Sequence, residues 1–320
     1  MFSGLVGNAR NDNILVVGST GNVGTQVCKQ LVEAGFSVFG TTRNPESKKL
    51  SAINVQAVEF QYGDRGSIDA AIAASKAGMV FFIVDFFGAA GGKPEVEVEH
   101  GKIIVDACVT AGINHVVFSS VANADDCPDA VKHFHSKEVI ENYMREQESL
   151  SFSILRPVTF FENLDNPVMY NPLTKGSVKM LWRHDLKVKH VGCADIAKAA
   201  VVMFKDPRAW KGKTLDCVSC EVTGDEIASA LSQASGVRCT YKVLIPSFIM
   251  RLAMRDLYNM VAFFENPGYS SSIEEFKAVV PDAQSPLDFF QAKGQWGNGE
   301  PFAPLEDGNL ADPPTKCVIS

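Results

Sequence analysis

Apolar and polar positions alternate along the first half of the chain as short apolar runs separated by longer amphipathic stretches. The apolar runs have the length of strands and occur at 14–17, 37–40, 56–60, 79–84, 115–119 and 152–155. The stretches with helical spacing of apolar residues are 23–35, 67–76, 95–111 and 132–147. This alternation predicts an α/β fold, a Rossmann-type doubly wound parallel sheet with helices packed on it.

After Asn163 the pattern becomes less regular, which indicates a second, smaller lobe. Thr223, followed three residues later by Glu226, predicts a capping box that opens a helix. From 294 the chain is rich in Gly, Pro, Asp and Asn. We therefore predict a Rossmann-type domain at 13–163 plus about 187–220, a smaller, interleaved C-terminal α/β lobe at 164–186 plus 221–293, and a flexible tail at 294–320.

The first apolar run leads directly into a glycine-rich turn, Gly18-Ser19-Thr20-Gly21-Asn22-Val23-Gly24. Gly18 permits the tight turn, Gly21 lets backbone N–H groups approach a pyrophosphate, and Gly24 lets the new helix pack closely on the strand. The phosphates would lie at the positive end of that helix. Similar glycines occur in plain strand-to-helix turns, but the strand before and the helix after favour a dinucleotide site.

The second apolar run ends in Thr41-Thr42-Arg43-Asn44-Pro45, roughly twenty residues beyond the glycines, where the adenosine ribose is usually recognised. Enzymes that use NAD commonly place an acid there, and this segment has none. Arg43 offers a guanidinium to a ribose 2′-phosphate, so the sequence favours NADP(H) as the cofactor. The alternative is an ordinary exposed Arg before a turn, with Lys48 and Lys49 close by.

Composition narrows the classes of function. The 320 residues are 46% hydrophobic, with a formal net charge of −7 and no basic block, so we expect no direct binding to nucleic acid. Residues 1–13 lack the apolar core of a signal peptide, and we expect a cytoplasmic protein. The eight cysteines are typical of reduced thiols. Cys217 and Cys220 form a lone C-x-x-C, which we interpret as packing and not as a metal site.

The amphipathic stretch at 132–147 carries the candidate chemistry. Short-chain dehydrogenases place a Tyr and a Lys four residues apart on one helix face, where the Lys holds the nicotinamide ribose. Lys137 is present here, but the position of the Tyr holds His133. A His with a pKa near ~6.5 could donate a proton to a reduced carbonyl, which makes His133 the catalytic candidate. The alternative, which we favour, is that Lys137 anchors the cofactor while His133 only lines the cleft.

Several motifs together resemble one family. They are Gly18 to Gly24, Thr42-Arg43-Asn44-Pro45, Gly63-Asp64, His133-Phe134-x-x-Lys137, and Arg156-Pro157-x-x-Phe160-Phe161-Glu162-Asn163. Over residues 13–293 the chain resembles the NmrA-like group of atypical short-chain dehydrogenases, and within it the NmrA-like redox-sensor proteins. The resemblance implies a Rossmann domain that prefers NADP to NAD, lacks a working catalytic Tyr, and signals cofactor status through a protein partner.

The resemblance also implies where the cofactor would bind. The phosphates would meet Gly18 through Val23, the 2′-phosphate Arg43, the adenine Asp64 and Arg65, and the nicotinamide ribose Lys137. The nicotinamide half would be flanked by Asp85 and Phe86 and by Phe160, Phe161, Glu162 and Asn163.

Some of these positions have a structural interpretation as well. Asp64 could be a turn residue after its strand, and Phe160 and Phe161 could be core residues. Asp85 stands where relatives tend to carry a small hydroxyl residue, and an acid there could repel phosphate. The role of the Asp85 loop therefore stays open.

The chain ends in Cys317-Val318-Ile319-Ser320, the pattern that a farnesyl transferase reads. Only Lys316 is basic nearby, so a single lipid on Cys317 would give weak, reversible membrane association. The alternative is a free thiol.

The function that we predict is an NADP(H)-binding redox sensor or regulator of the NmrA-like type. The alternative is an NADPH-dependent reductase of a carbonyl or an activated double bond. A scaffold that has lost the cofactor is disfavoured, because the three glycines and Arg43 are present.

Overall fold

The computed structural model describes residues 12–164, 171–296, 300–302 and 310–313. The strands are β1 (Asn13–Val17), β2 (Ser37–Thr42), β3 (Gln56–Glu59), β4 (Met79–Ile83), β5 (His115–Ser119), β6 (Phe152–Pro157), β7 (Thr159–Phe160), β8 (Ser177–Met180), β9 (Val188–Val191), β10 (Thr214–Cys217), β11 (Cys220–Val222) and β12 (Thr240–Val243). The helices are α1 (Asn22–Glu33), α2 (Lys48–Ser51), α3 (Arg65–Ser75), α4 (Pro94–Ala111), α5 (Lys132–Arg145), α6 (Pro172–Lys175), α7 (Cys193–Lys205), α8 (Pro207–Trp210), α9 (Gly224–Ser235), α10 (Ser247–Ala253), α11 (Arg255–Glu265), α12 (Ile273–Val279) and α13 (Pro286–Lys293). A 3₁₀ turn spans Phe161–Leu164.

The central sheet is parallel and has seven strands in the order β10-β6-β5-β4-β1-β2-β3. The chain proceeds from β1 toward β3 on one side and from β4 outward on the other, so the strand order reverses between β1 and β4. Ligands of doubly wound sheets bind beyond the carboxyl ends of the strands at such a switch point. The predicted fold class is confirmed.

The chain divides into two compact units, and the division runs through β6, β10, α5 and α7. The first unit comprises the described residues up to Ser120, Ser136–Leu155 and Ala197–Thr214; the second comprises Val121–His135, Arg156–Ile196 and the described residues from Leu215 onward. The second unit also holds β7, β9 and β11, which pair in one small sheet, and β8 and β12, which pair in another. Four segments that the sequence assigned to the Rossmann domain therefore group with the second unit, namely 121–135, 156–163, 187–196 and 215–220.

Each unit has its own apolar core. In the first unit, apolar residues of β1 and β4–β6 pack with residues of α3, α4 and α5, including the fully buried Phe82, Phe118 and Ile104. In the second unit the core is aromatic, and Phe161, Phe263 and Phe290 contribute to it. The two units are thus each stabilised by burial of their own large side chains.

Local sequence signals explain where several elements begin and end. Thr223 and Glu226 form the predicted capping box at the start of α9. Helix α4 ends at Gly112, whose φ of 64° is the left-handed conformation that glycine adopts readily. All six strand-like runs of the first half are strands in the structure.

The described residues of the tail predicted from 294 have contacts with the second unit. Trp296 is buried in the core of the second unit. Ala311 forms a parallel β-bridge with Val237, and its N–H donates to the Gly236 carbonyl at 2.7 Å. Composition favours disorder, but backbone hydrogen bonds and an aromatic anchor order these residues. Cys317 lies outside the described residues.

Among the residues that the structure describes, no helix is long and apolar enough to span a membrane.

Candidate functional site

The glycine turn after β1 requires glycine at two positions. Gly18 has a φ of +85°, and a Cβ there would lie 2.4 Å from Cγ2 of Ile83 on β4. A Cβ on Gly24 would lie 2.1 Å from the Gly18 carbonyl oxygen, so α1 can approach the turn only without a side chain there. The turn therefore has the close helix–strand packing expected of a dinucleotide site.

The amino end of α1 is open to an anion. Gly21 is the N-cap residue and supplies no side-chain cap, and the first turn contains no acid. The first hydrogen bond of the helix runs from the Thr25 N–H to the Gly21 carbonyl at 2.9 Å. The N–H groups of Asn22, Val23 and Gly24 come before it and have no acceptor within the helix. Such N–H groups, at the positive end of a helix, are the usual partners of phosphate.

The predicted phosphate-binding residues divide into two groups. Thr20, Gly21 and Asn22 are exposed, whereas Ser19 and Val23 are buried. The Ser19 hydroxyl donates to the Thr41 carbonyl at 2.6 Å and so ties the turn to β2. Because the Ser19 hydroxyl is used in this bond, a phosphate could be bound by Ser19 only through its backbone N–H.

Arg43 lies on an exposed turn directly after β2. The turn is held by the Asn44 N–H, which donates to the Thr42 hydroxyl at 3.1 Å, and by the Glu46 N–H, which donates to the Asn44 side chain at 3.0 Å. In the described parts of the chain the Arg43 guanidinium has no ion-pair partner, so it is accessible to a 2′-phosphate.

Asp64 and Arg65 have structural partners. Asp64 is the N-cap residue of α3, where its carboxylate accepts from the Ser67 N–H at 3.2 Å. Arg65 pairs with Asp69 at 2.9 Å and donates to the Thr110 hydroxyl on α4 at 2.9 Å. The Arg65 guanidinium is thus directed to α4, which argues against the predicted adenine contact through this side chain.

The structure gives Asp85 a role that the sequence left open. One carboxylate oxygen accepts from the Gly88 N–H at 2.9 Å, and the other accepts from the Ala89 N–H at 3.0 Å. The acid thus caps the loop after β4, and these donors neutralise part of its charge. The next residue, Phe86, is buried, and the Lys137 ammonium lies 5.9 Å from its ring centroid.

Lys137 pairs with a buried acid that the sequence analysis missed. Its Nζ lies 2.9 Å from Oε1 and 3.1 Å from Oε2 of Glu97, which is fully buried on α4. The Ser136 hydroxyl donates to the same carboxylate. One turn further along α4, a Cβ on Gly101 would lie 2.5 Å from Ile140 of α5, so this glycine lets the two helices approach. The sequence did contain a signal for a buried acid, because Glu97 falls in the apolar stripe of α4.

Two buried polar atoms of the first unit lack hydrogen-bond partners among the described residues. They are the hydroxyl of Ser119, at the carboxyl end of β5, and Nδ1 of His100 on α4. Buried polar atoms are normally paired, and unpaired ones point to an absent ligand or water. Beside the glycine turn, the Tyr62 hydroxyl donates to the Ile83 carbonyl at 2.8 Å, and burial raises the pKa of Tyr62. With its open helix end and its unpaired polar atoms, this unit fits a dinucleotide.

His133, the catalytic candidate, belongs to the second unit and pairs with Asp256 on α11. The ring Nδ1 hydrogen-bonds to one carboxylate oxygen, and the other oxygen accepts from the Lys132 N–H at 2.6 Å. Burial alone would raise the pKa of Asp256, but the hydrogen bonds from His133 and Lys132 hold it below its usual value. The carboxylate therefore stays ionised and caps the amino end of α5 while it orients the ring.

The segment Phe160 to Asn163 of the second unit has mainly structural contacts. Phe161 is fully buried and stacks on His190 and Phe289, which supports its interpretation as a core residue and not as a cofactor wall. Both oxygens of Glu162 accept from the Cys193 N–H, at 3.0 and 3.1 Å, so this acid caps α7. Burial raises the pKa of Glu162. Phe160 is half-buried and Asn163 is exposed, and both stay predicted cofactor contacts.

Cys217 and Cys220 lie in β10 and β11. Burial raises the pKa of Cys220 to about 11 and that of Cys217 well above its ordinary value. Thiols held protonated in this way are poor metal ligands and poor nucleophiles. Within the described ranges, no group of His, Cys, Asp and Glu side chains is arranged to hold a metal ion.

Comparison with known proteins identifies the family. The model of the NmrA-like family matches residues 10–289. An NmrA-like family domain-containing oxidoreductase of Cladobotryum sp. is 28% identical over 262 residues, which cover 73% of this chain and 77% of that protein.

Two solved structures share the fold. The triphenylmethane reductase of Citrobacter sp., complexed with NADP(H), aligns with a TM-score of 0.69 at 18% identity over 87% of this chain and 99% of that one. NmrA, a negative transcriptional regulator solved in complex with NADP, aligns with a TM-score of 0.68 at 18% identity over 88% of this chain and 95% of that one. The fold, the glycine turn and the family match together show that this chain belongs to the NmrA-like family.

Proposed function

We propose that this chain binds NADP(H) at the glycine turn and acts as a redox sensor or regulator, not as an efficient dehydrogenase. The amino end of α1 would hold the phosphates through backbone N–H groups, and Arg43 would bind the 2′-phosphate. The related regulator NmrA and the related triphenylmethane reductase have both been solved with this cofactor. When bound, NADPH would supply a hydride, and its oxidation state is the signal.

The observation that carries the sensor function is the Lys137–Glu97 ion pair. In a working short-chain dehydrogenase the Lys lowers the pKa of a Tyr one helical turn away, and here that position holds His133. The ammonium of Lys137 also donates to both oxygens of a buried carboxylate. Because the acid Tyr is missing and the Lys charge is balanced by Glu97, proton delivery to a substrate is poorly supported. A protein partner would then read the cofactor state.

The alternative function, an NADPH-dependent reductase, is favoured by the His133–Asp256 pair. A carboxylate on Nδ1 stabilises the imidazolium and orients the ring, which is how a His acts as a general acid. In this case NADPH-dependent reduction should require the His133 side chain, and His133→Phe should abolish it. A sensor would show no such activity in either form.

A calorimetric titration of the purified protein with NADPH and with NADP tests the cofactor proposal. We expect saturable one-site binding of both forms, and weaker binding by a variant with Gly24→Val, because the side chain would displace α1 from the turn. Lys29→Val, an exposed change on α1 away from the glycine turn, is the matched control. If neither dinucleotide binds, the proposal is wrong and the glycine turn is purely structural.

A further inference from the structure

Exposed large apolar side chains are concentrated in one short segment of the second unit. Of the seven such side chains among the described residues, only Phe87 lies elsewhere. The other six are Val243, Leu244, Phe248, Ile249, Leu252 and Met254, exposed by 38% to 83%. We call these six residues the 243–254 surface. Single exposed apolar residues are ordinary, but a cluster of this kind marks an interaction site.

The residues of this surface lie in a strand and a helix whose backbones are held in place by the rest of the unit. Strand β12 pairs with β8, and the Leu244 N–H donates to the Met180 carbonyl at 2.7 Å. Helix α10 follows, and its Met250 is only 1% exposed, so that one side of the helix is anchored in the core. At about 100° per residue, Phe248, Ile249 and Leu252 lie together on the side away from Met250.

The segment that carries this surface is basic although the chain as a whole is acidic. Residues 242–255 contain Lys242, Arg251 and Arg255 and no acid, whereas the formal net charge of the chain is −7. An apolar helix face flanked by Lys and Arg is typical of helices that lie in the interface of an anionic bilayer. A two-fold contact between copies would bring the same three cations together, which disfavours a second copy as the occupant.

We propose that the 243–254 surface docks on an anionic phospholipid bilayer. The apolar face of α10 would enter the bilayer, and Lys242, Arg251 and Arg255 would attract its anionic headgroups. This inference is independent of NADP(H) binding.

Sedimentation of the purified 320-residue chain with vesicles tests this surface. Protein made in bacteria should bind phosphatidylcholine vesicles that contain phosphatidylserine more tightly than vesicles of phosphatidylcholine alone. Binding should weaken as salt is raised, because exposed charges are screened. Phe248→Ser with Leu252→Ser should lower the affinity at least about tenfold, since two large side chains no longer enter the bilayer.

Two further variants separate this proposal from a protein–protein surface. Arg251→Glu with Arg255→Glu should remove the preference for phosphatidylserine, while the matched exposed change Lys29→Glu on α1 should leave it intact. Equal binding to both vesicle types by the unchanged protein, or no binding, would overturn the proposal. So would a dimer in sedimentation velocity that Phe248→Ser with Leu252→Ser converts to monomer, because the surface would then join two copies.

Discussion

The two units differ in how deeply they bury the acid of an ionisable pair, although in both pairs the basic residue lies on α5. In the first unit, Lys137 meets a carboxylate, Glu97, whose side chain is 0% exposed. In the second unit, His133 meets Asp256, whose side chain is 21% exposed. The first pair is therefore part of a core, where neither charge can be left alone, whereas the second pair lies near water and can lose a partner at small cost.

The largest effect should follow from removal of Lys137. Lys137→Met leaves the Glu97 carboxylate buried without its cation, and we expect a loss of roughly 3–5 kcal/mol in the free energy of unfolding. Urea unfolding measures this loss. The matched double variant Lys137→Met with Glu97→Gln should recover most of it, because no buried charge remains. A single variant as stable as the unchanged protein would show that Glu97 is solvated.

Low pH should reduce the stability of the folded chain through one buried histidine in each unit. Burial lowers the pKa of His115 in the first unit to about 4, and that of His190 in the second unit to about 4. Because the unfolded chain takes up protons near pH ~6.5 and the folded chain does not, stability should be complete above that pH and decline from there toward pH 4. Each histidine should contribute about 2–3 kcal/mol to this decline.

Unfolding free energies measured between pH 7 and 4 test this, with His115→Gln and His190→Gln as variants. Each change should flatten the pH dependence while costing stability at neutral pH. A slope unaffected by both changes would mean that other groups govern acid unfolding.

A smaller effect concerns cofactor choice in the first unit. Arg43→Ala should reduce the affinity for NADP(H) by about tenfold, or ~1.4 kcal/mol, and leave that for NAD(H) nearly unchanged. Calorimetry measures both affinities. Lys49→Ala, also exposed, is the control and should alter neither. Equal losses for the two cofactors in Arg43→Ala would mean that the guanidinium acts elsewhere.

The smallest effect should come from the pair in the second unit. His133→Gln should cost at most about 1 kcal/mol, because Asp256 keeps its bond from the Lys132 N–H and has access to water. Urea unfolding of this variant beside Lys137→Met sharpens the comparison directly. A loss as large as that of Lys137→Met would show that the His133–Asp256 pair is as enclosed as the Lys137–Glu97 pair.

The features that could be predicted from the sequence are those that local signals determine. The glycine turn, the six strand-like runs and the capping box of Thr223 depend on residues close together in the chain, and the local sequence pattern shows them. The partners of Lys137 and His133 lie 40 and 123 residues away in sequence, on α4 and α11, and only the folded chain brings them into contact.

The motif Phe160 to Asn163 was visible in the sequence, but the motif alone did not show what its residues contact. The resemblance assigns its residues to a cofactor, while Phe161 and Glu162 are held by core packing and by the α7 cap. A family motif does not distinguish a ligand contact from a fold contact.

The most direct test of the sensor proposal is the steady-state oxidation of NADPH by the protein, measured with ketones, quinones, azo dyes and triphenylmethane dyes. Because the acid Tyr is absent, and loss of a positioned acid typically costs 10² to 10⁴ in rate as an order of magnitude, we expect very slow turnover with every acceptor at saturating NADPH. Turnover of several per second with any of them, falling as pH rises through the titration of a histidine, would contradict the proposal and assign the chain to the reductases.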